Sequence, residues 1–205
     1  MFPSFCVGCK KEGSFLCDEC KEKIEILKTP SHFPEKSKVE KFYCATEYRQ
    51  ETIEKLISSF KYKFIKDIKN ELGDLVISHL ELTGFVKNEN QVLLPVPLHK
   101  KRLHWRGFNQ SEALAENIGN YFNIPVVTNV LLRTKYTEHQ TLRQNRKERV
   151  RNIRGAFSCK NSKVIENKEV ILIDDVVTSG TTLKECAKEL SKYDIKKIFA
   201  IVVAK

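Results

Sequence analysis

Asp174 and Asp175 stand side by side at the end of a short apolar run, and a turn of small hydroxyl residues follows them. Val170, Ile171, Leu172 and Ile173 have the length and β-branching of a buried strand. Thr178, Ser179, Gly180, Thr181 and Thr182 then make a turn that opens a helix, in which Leu183, Cys186, Ala187 and Leu190 fall at i, i+3, i+4 and i+7. Thr182 with Glu185 matches a capping box. A strand that passes through such a turn into a helix aims backbone N–H groups and the helix dipole at one point, and Gly180 allows close backbone approach. That is a cradle for an anion. Paired carboxylates beside it accept hydrogen bonds from a diol and favour a nearby Mg²⁺. A ribose 5-phosphate has that layout. An ordinary βα turn would share the shape without the ligand. A Walker loop is excluded, because no Gly-Lys-Ser/Thr occurs in the chain.

A second chemistry sits at the amino end, where four of the seven cysteines form Cys6-x-x-Cys9 and Cys17-x-x-Cys20. Two such turns each bring a pair of thiolates to one side, and together they complete a tetrahedron around zinc. With all four ligands cysteine, the zinc would be structural, and redox or metal-free readings are the alternatives. Cys186 lies on an apolar helical stripe and reads as core filler.

The elements that must hold these groups alternate. Strand patterns occupy Phe42–Thr46, Val92–Val96, Val126–Leu132 and Ile198–Ala204. Helical patterns occupy Glu47–Phe60 and the stretch from Ile68 to Leu80, and Asn109 with Glu112 opens another through Phe122. The fold class is therefore α/β, with a mainly parallel sheet flanked by helices, and its ligand belongs at the carboxyl ends of the strands. Lys28–Lys38, with Pro30 and Pro34, reads as a polar linker. The expected division is a zinc finger over 1–28 and the main domain over 39–205. The chain has 205 residues, a net charge of +10 and a pI near 9.2, which favours an anionic partner. No apolar run is long enough to span a membrane and no signal-peptide core is evident, so a cytoplasmic location is expected.

The excess positive charge is clustered. Lys100, Lys101, Arg102 and Arg106 surround Trp105, and Arg143, Arg146, Lys147 and Arg149 continue to Arg154. Arginine forks suit phosphate, and an aromatic among cations suits stacking on an unpaired base. Neutralisation of a small ligand's phosphates or a plain solvated face would also account for them.

VILIDDVVTSGTTL, at 170–183, closely resembles the phosphoribosyl-pyrophosphate (PRPP) motif of type I phosphoribosyltransferases. LLPVPLHKKRLHWRGFNQSEALA, at 93–115, and HQTLRQNRKERVRNIRGAF, at 139–157, resemble the ComF competence-protein family, as do the paired cysteines and FKYKF at 60–64. The resemblance implies a type I phosphoribosyltransferase fold with a small amino-terminal zinc finger. It implies that Asp174 and Asp175 hold ribose hydroxyls and that Val177, Thr178, Ser179, Gly180, Thr181 and Thr182 hold the 5-phosphate. The pyrophosphate would fall to the strand end at 93–97, with His99 and Lys100 as first-choice side chains and Mg²⁺ accompanying the ligand. The family acts on incoming single-stranded DNA beside a competence helicase.

Three functions therefore compete: a PRPP- and DNA-binding accessory of DNA uptake, an active phosphoribosyltransferase, and a zinc-bearing scaffold between helicase and channel. No catalytic residue is assigned. The donor side of an active site is legible and the acceptor side is not.

Overall fold

A computed structural model describes residues 3–34, 36–63, 65–136 and 153–205. In chain order it contains α1 (Asp18–Lys21), β1 (Lys41–Thr46), α2 (Glu51–Tyr62), α3 (Lys69–Leu82), β2 (Gln91–Pro95), α4 (Lys100–Arg106) and α5 (Gln110–Phe122). There follow β3 (Leu131–Arg133), β4 (Phe157–Cys159), β5 (Glu169–Val176), α6 (Thr181–Leu190) and β6 (Lys197–Ala204). Four strands form a parallel sheet in the order β1-β6-β5-β2, and β3 pairs antiparallel with β4 apart from it. The expected parallel α/β sheet flanked by helices is what the chain forms.

Strands covered on both faces are apolar throughout rather than alternating, and these are. Leu93, Ile171, Ile173, Phe199 and Ile201 face a core shared with α2, α3 and α5. Val92, Leu94, Val170, Leu172 and Ile198 face a second core with α6 and the β3–β4 pair. Gly73, in the middle of α3, has a packing reason: a Cβ there would lie 2.0 Å from the Asn117 side chain of α5. The two helices meet where one has no side chain.

Three expectations change. The strand pattern at Val126–Leu132 splits: Val126 makes a single bridge to Leu93, and a strand begins only at Leu131. The capping box does not form, because Gly180 occupies the N-cap and the Glu185 carboxylate accepts from the Gly155 N–H at 2.9 Å. The stretch read as a linker is fastened down. The Leu27 N–H donates to the Ala45 carbonyl and the Ser31 N–H to that of Phe42, each at 2.9 Å, so 26–31 runs antiparallel along the free edge of β1. The cysteine segment packs in turn on the main body. Cys6, Leu16, Cys20 and Ile24 share a core with Ile53 and Leu56 of α2, and Lys21 pairs with Asp74 of α3 at 3.0 Å.

Candidate functional site

β5 extends past the apolar run and carries both aspartates at its carboxyl end. Asp175 is 7% exposed and pairs with Lys61, Nζ to Oδ1 2.9 Å. Asp174 accepts from the Ser111 hydroxyl at 3.0 Å and from the Asp175 N–H at 2.9 Å. Val177 is buried, Gly180 turns the backbone at φ +74°, and α6 starts at Thr181. The Ser179 and Thr181 hydroxyls lie 2.9 Å apart. Lys61, Asp174 and the run from Val176 to Leu183 line one cavity of about 150 Å³. Asp174 and the hydroxyl turn thus meet in one cavity, with Asp175 held next to it by Lys61.

The cradle is roofed on one side by the amino-terminal segment. A Cβ on Gly180 would stand 3.2 Å from Phe33 and 3.5 Å from Pro34. Phe33 is held edge-on against Phe42 of β1 with ring centroids 5.3 Å apart. Glycine at 180 therefore meets two demands, a left-handed backbone and a close neighbour.

The electrostatics are mixed. Burial, and then the charge of Asp175, push the Asp174 carboxyl up to about 7. Burial opposes the charge of Lys61, but Asp175 outweighs it and raises the lysine above its ordinary value. Arg106 lies within the field of Asp175 and Arg133 within that of Asp174, both partly desolvated, with Arg102 close enough to repel each. Three cations, Lys61, Arg106 and Arg133, thus lie in the field of the two carboxylates, an arrangement suited to a ligand that brings both hydroxyls and negative charge. One consequence is a pH effect. The folded chain holds a proton on Asp174 that the unfolded chain has lost between pH 4 and 7, so ligand-free stability should fall as pH rises through that window. Asp174→Asn should flatten that fall, as denaturant titrations at several pH values would reveal. An unchanged slope would mean that Asp174 ionises normally.

The basic segment has two roles. His99 is the N-cap of α4, its Nδ1 accepting from the Lys101 N–H at 3.2 Å, and Lys100 is exposed at the first turn. Neither is among the described residues that line the cavity. Lys101 and Trp105 are exposed, Trp105 at 58%, and Arg102 is half-buried. Arg106 departs from its expected place on a DNA-facing surface. It is 6% exposed, donates to Gln110 Oε1 at 2.6 Å and lies over the Tyr62 ring. Gly107 then turns left-handed, and Asn109 caps α5 while donating to the Val96 carbonyl at 3.1 Å. The Arg-Gly-Phe-Asn-Gln-Ser run is therefore a brace that ends by holding Asp174 through Ser111. Arg143, Arg146, Lys147 and Arg149 lie outside the described residues.

Sequence reading missed Lys61, Ser111 and Arg133. A signal existed for two of them. Lys61 falls four residues after Ile57 and eight after Ile53, and Ser111 precedes Leu114 and Ala115 by three and four. Each is a polar residue on an otherwise buried helical stripe, where a partner is required.

At the amino end, the sulfurs of Cys6, Cys9, Cys17 and Cys20 all lie within 4.8 Å of one another, and the cluster could hold a metal ion. Sulfurs around a zinc with 2.3 Å arms stand about 3.8 Å apart, and Cys9 and Cys17 are at 3.5 Å. Burial opposes ionisation of Cys6, but backbone N–H groups, that of Cys17 foremost, outweigh it and bring the thiol down to about 6. Burial, and then the neighbouring thiols, push Cys20 up to about 12.

The comparisons with known proteins follow the same two features. Residues 108–205, which hold the cradle and strands β5 and β6, match the phosphoribosyl transferase domain family. The chain is 36% identical over 109 residues to competence protein F of Haemophilus influenzae, covering 53% of this chain and 47% of that protein. It is 29% identical over 132 residues to competence protein ComFC of Bacillus subtilis, covering 64% and 50%. It is 30% identical over 139 residues to the DNA utilization protein YhgH of Escherichia coli O157:H7, covering 66% and 59%. Over these stretches the chain is similar to proteins named for competence and DNA utilization, and the matches span about half the length of those relatives. No helix among the described residues is long and apolar enough to cross a membrane.

Proposed function

We propose that this protein binds PRPP with Mg²⁺ in the cradle at 177–182 and single-stranded DNA beside it, as a cytoplasmic accessory of DNA uptake. One observation carries the reading: Asp174, the hydroxyl turn and Lys61 line one cavity, with Asp175 paired to that lysine, as suits a phosphorylated ribose. Asp174 and Asp175 hold the ribose hydroxyls. Thr178, Ser179, Thr181 and Thr182, with their N–H groups, hold the 5-phosphate. Mg²⁺ neutralises the pyrophosphate, and the acidic pair fits a cation that arrives with the ligand. His99 and Lys100 remain the proposed pyrophosphate contacts, approaching from the loop after β2. Zinc in the Cys6, Cys9, Cys17 and Cys20 cluster is structural. The names of the relatives support the DNA-uptake context, in which a competence helicase is the expected neighbour. An active phosphoribosyltransferase is the second reading, favoured by the family match at 108–205. Pyrophosphate release from PRPP, measured alone and with bases, amines or DNA, separates the two.

DNA would lie along the exposed face of α4, with Lys100, Lys101 and Arg102 on its phosphates and Trp105 under a base. Arg143, Arg146, Lys147 and Arg149 are the proposed continuation. Affinity for single-stranded DNA should fall steeply with salt, and Lys100→Ala with Lys101→Ala should reduce the log–log slope by about 0.7 for each phosphate left without its lysine. Trp105→Ala should cost roughly 1–3 kcal/mol of DNA affinity. Titrations at two salt concentrations read both effects. DNA binding indifferent to all three substitutions would exclude α4 as the DNA-binding face.

A further inference from the structure

A groove of about 860 Å³ lies between α1, the stretch at 24–28 and the carboxyl end of α3, and it shares no lining residue with the cradle. Its floor is apolar. Ile24 is buried, Ile26 and Leu27 are half-buried, and Leu82 stands in the wall although it is 55% exposed. Apolar side chains left open together, and rimmed by polar ones, mark an interaction surface. The groove is also preformed. Lys21 ties α1 to Asp74 of α3 at 3.0 Å, and His79 of α3 donates from Nδ1 to the Leu27 carbonyl at 2.5 Å. The Glu25 N–H donates to Gln50 Oε1 at 2.8 Å, and its carbonyl accepts from Gln50 Nε2 at 3.0 Å. The Leu27 N–H is given to Ala45. Both backbone groups of Glu25 and of Leu27 are thus engaged, so a partner finds no strand edge to extend at these residues and must be held by side chains.

The rim sets the charge of those side chains. Asp18 and Glu22 stand one helical turn apart, Glu25 follows, and all three are exposed. Against them the rim has Lys28 and Lys21, and Lys21 is committed to Asp74. On a chain of net charge +10 this is a local reversal of sign, which turns away nucleic acid and favours a partner that carries cations. A small cation fits poorly, because the floor offers only aliphatic side chains and nothing polar to fix its orientation. We propose that the groove docks a basic amphipathic helix of a partner protein. Its apolar side chains lie between Leu82 and the floor, and its Lys or Arg side chains, one turn apart, face Asp18, Glu22 and Glu25. The site stands apart from the cradle and from α4, so it holds whether or not PRPP or DNA is bound.

Fluorescence anisotropy of two labelled synthetic helices, titrated with the full chain, provides the test. One helix has leucines on one face and lysines on the other, and its twin has glutamates in place of the lysines. The lysine helix should bind with micromolar affinity and the glutamate helix should not. Leu82→Asp should weaken binding by roughly 30-fold or more, as the loss of a central anchor does. Glu22→Lys with Glu25→Lys should weaken it roughly tenfold, and the difference should shrink as salt is added. Should the aspartate variant fail to fold, Leu82→Ser carries the same comparison. No binding of the lysine helix, equal binding of the twins, or binding indifferent to the Leu82 substitution overturns the proposal. So does a wild-type chain that sediments as a dimer while Leu82→Asp sediments as a monomer, since the occupant would then be a second copy of this chain.

Discussion

Protein purified without chelators should carry about one zinc per chain, and Cys6→Ser with Cys9→Ser should release it and lower the melting temperature of the whole chain by roughly 10 °C or more. Structural zinc sites contribute about 10–16 kcal/mol of apparent binding energy, which rivals the entire stability of a domain. The loss cannot stay local, because the thiolates are part of the main core. Cys6 is fully buried, Cys20 is 8% exposed, and both pack with Ile53 and Leu56 of α2. Gly8 lies so close that a Cβ on it would be 2.8 Å from the Cys20 sulfur. A thermal scan with parallel metal analysis checks the prediction. Metal-free protein that melts with the wild type would show that the four sulfurs need no ion.

Asp174→Asn combined with Asp175→Asn should abolish the stabilisation that Mg²⁺–PRPP confers on the wild type. At a hundredfold excess over the dissociation constant, that stabilisation is about 2.7 kcal/mol, or roughly 5–10 °C for a chain of this length. The variant should still fold, with two opposed effects on its own stability. Neutralising Asp174 removes a charge that burial disfavours, whereas neutralising Asp175 leaves the Lys61 ammonium less well paired. The ligand effect is therefore best read as a shift between liganded and unliganded protein of the same variant. A PRPP shift that survived both substitutions would rule out a phosphoribosyl ligand at this cradle.

The parallel sheet, the acidic pair and the turn into α6 were legible because each is encoded in consecutive residues with a strong period. What was illegible came from far apart in the chain. Lys61, Ser111 and Asp175 converge only once α2, α5 and β5 have packed, and no local pattern records that meeting. The basic motif at 99–109 misled in a specific way. Composition cannot distinguish a cation that faces solvent from one that braces a loop, and Arg106 is the second kind while Lys101 is the first. The segment at 28–38 misled for the opposite reason. Prolines and charges suggested freedom, yet Ser31 is bonded to Phe42 of β1, and Phe33 closes over Gly180.

That last arrangement bears on how the protein can be cut. A parallel sheet leaves its outer strand with unpaired N–H and carbonyl groups, which invite a second molecule to add on. In this chain the stretch at 26–31 shields β1, and the same stretch leads on to Phe33 over the cradle. A fragment begun at residue 39 would thus keep every residue of the phosphoribosyl transferase match. It would lose both its sheet guard and the cover that Phe33 and Pro34 give Gly180, and the bare edge of β1 would be a template for aggregation.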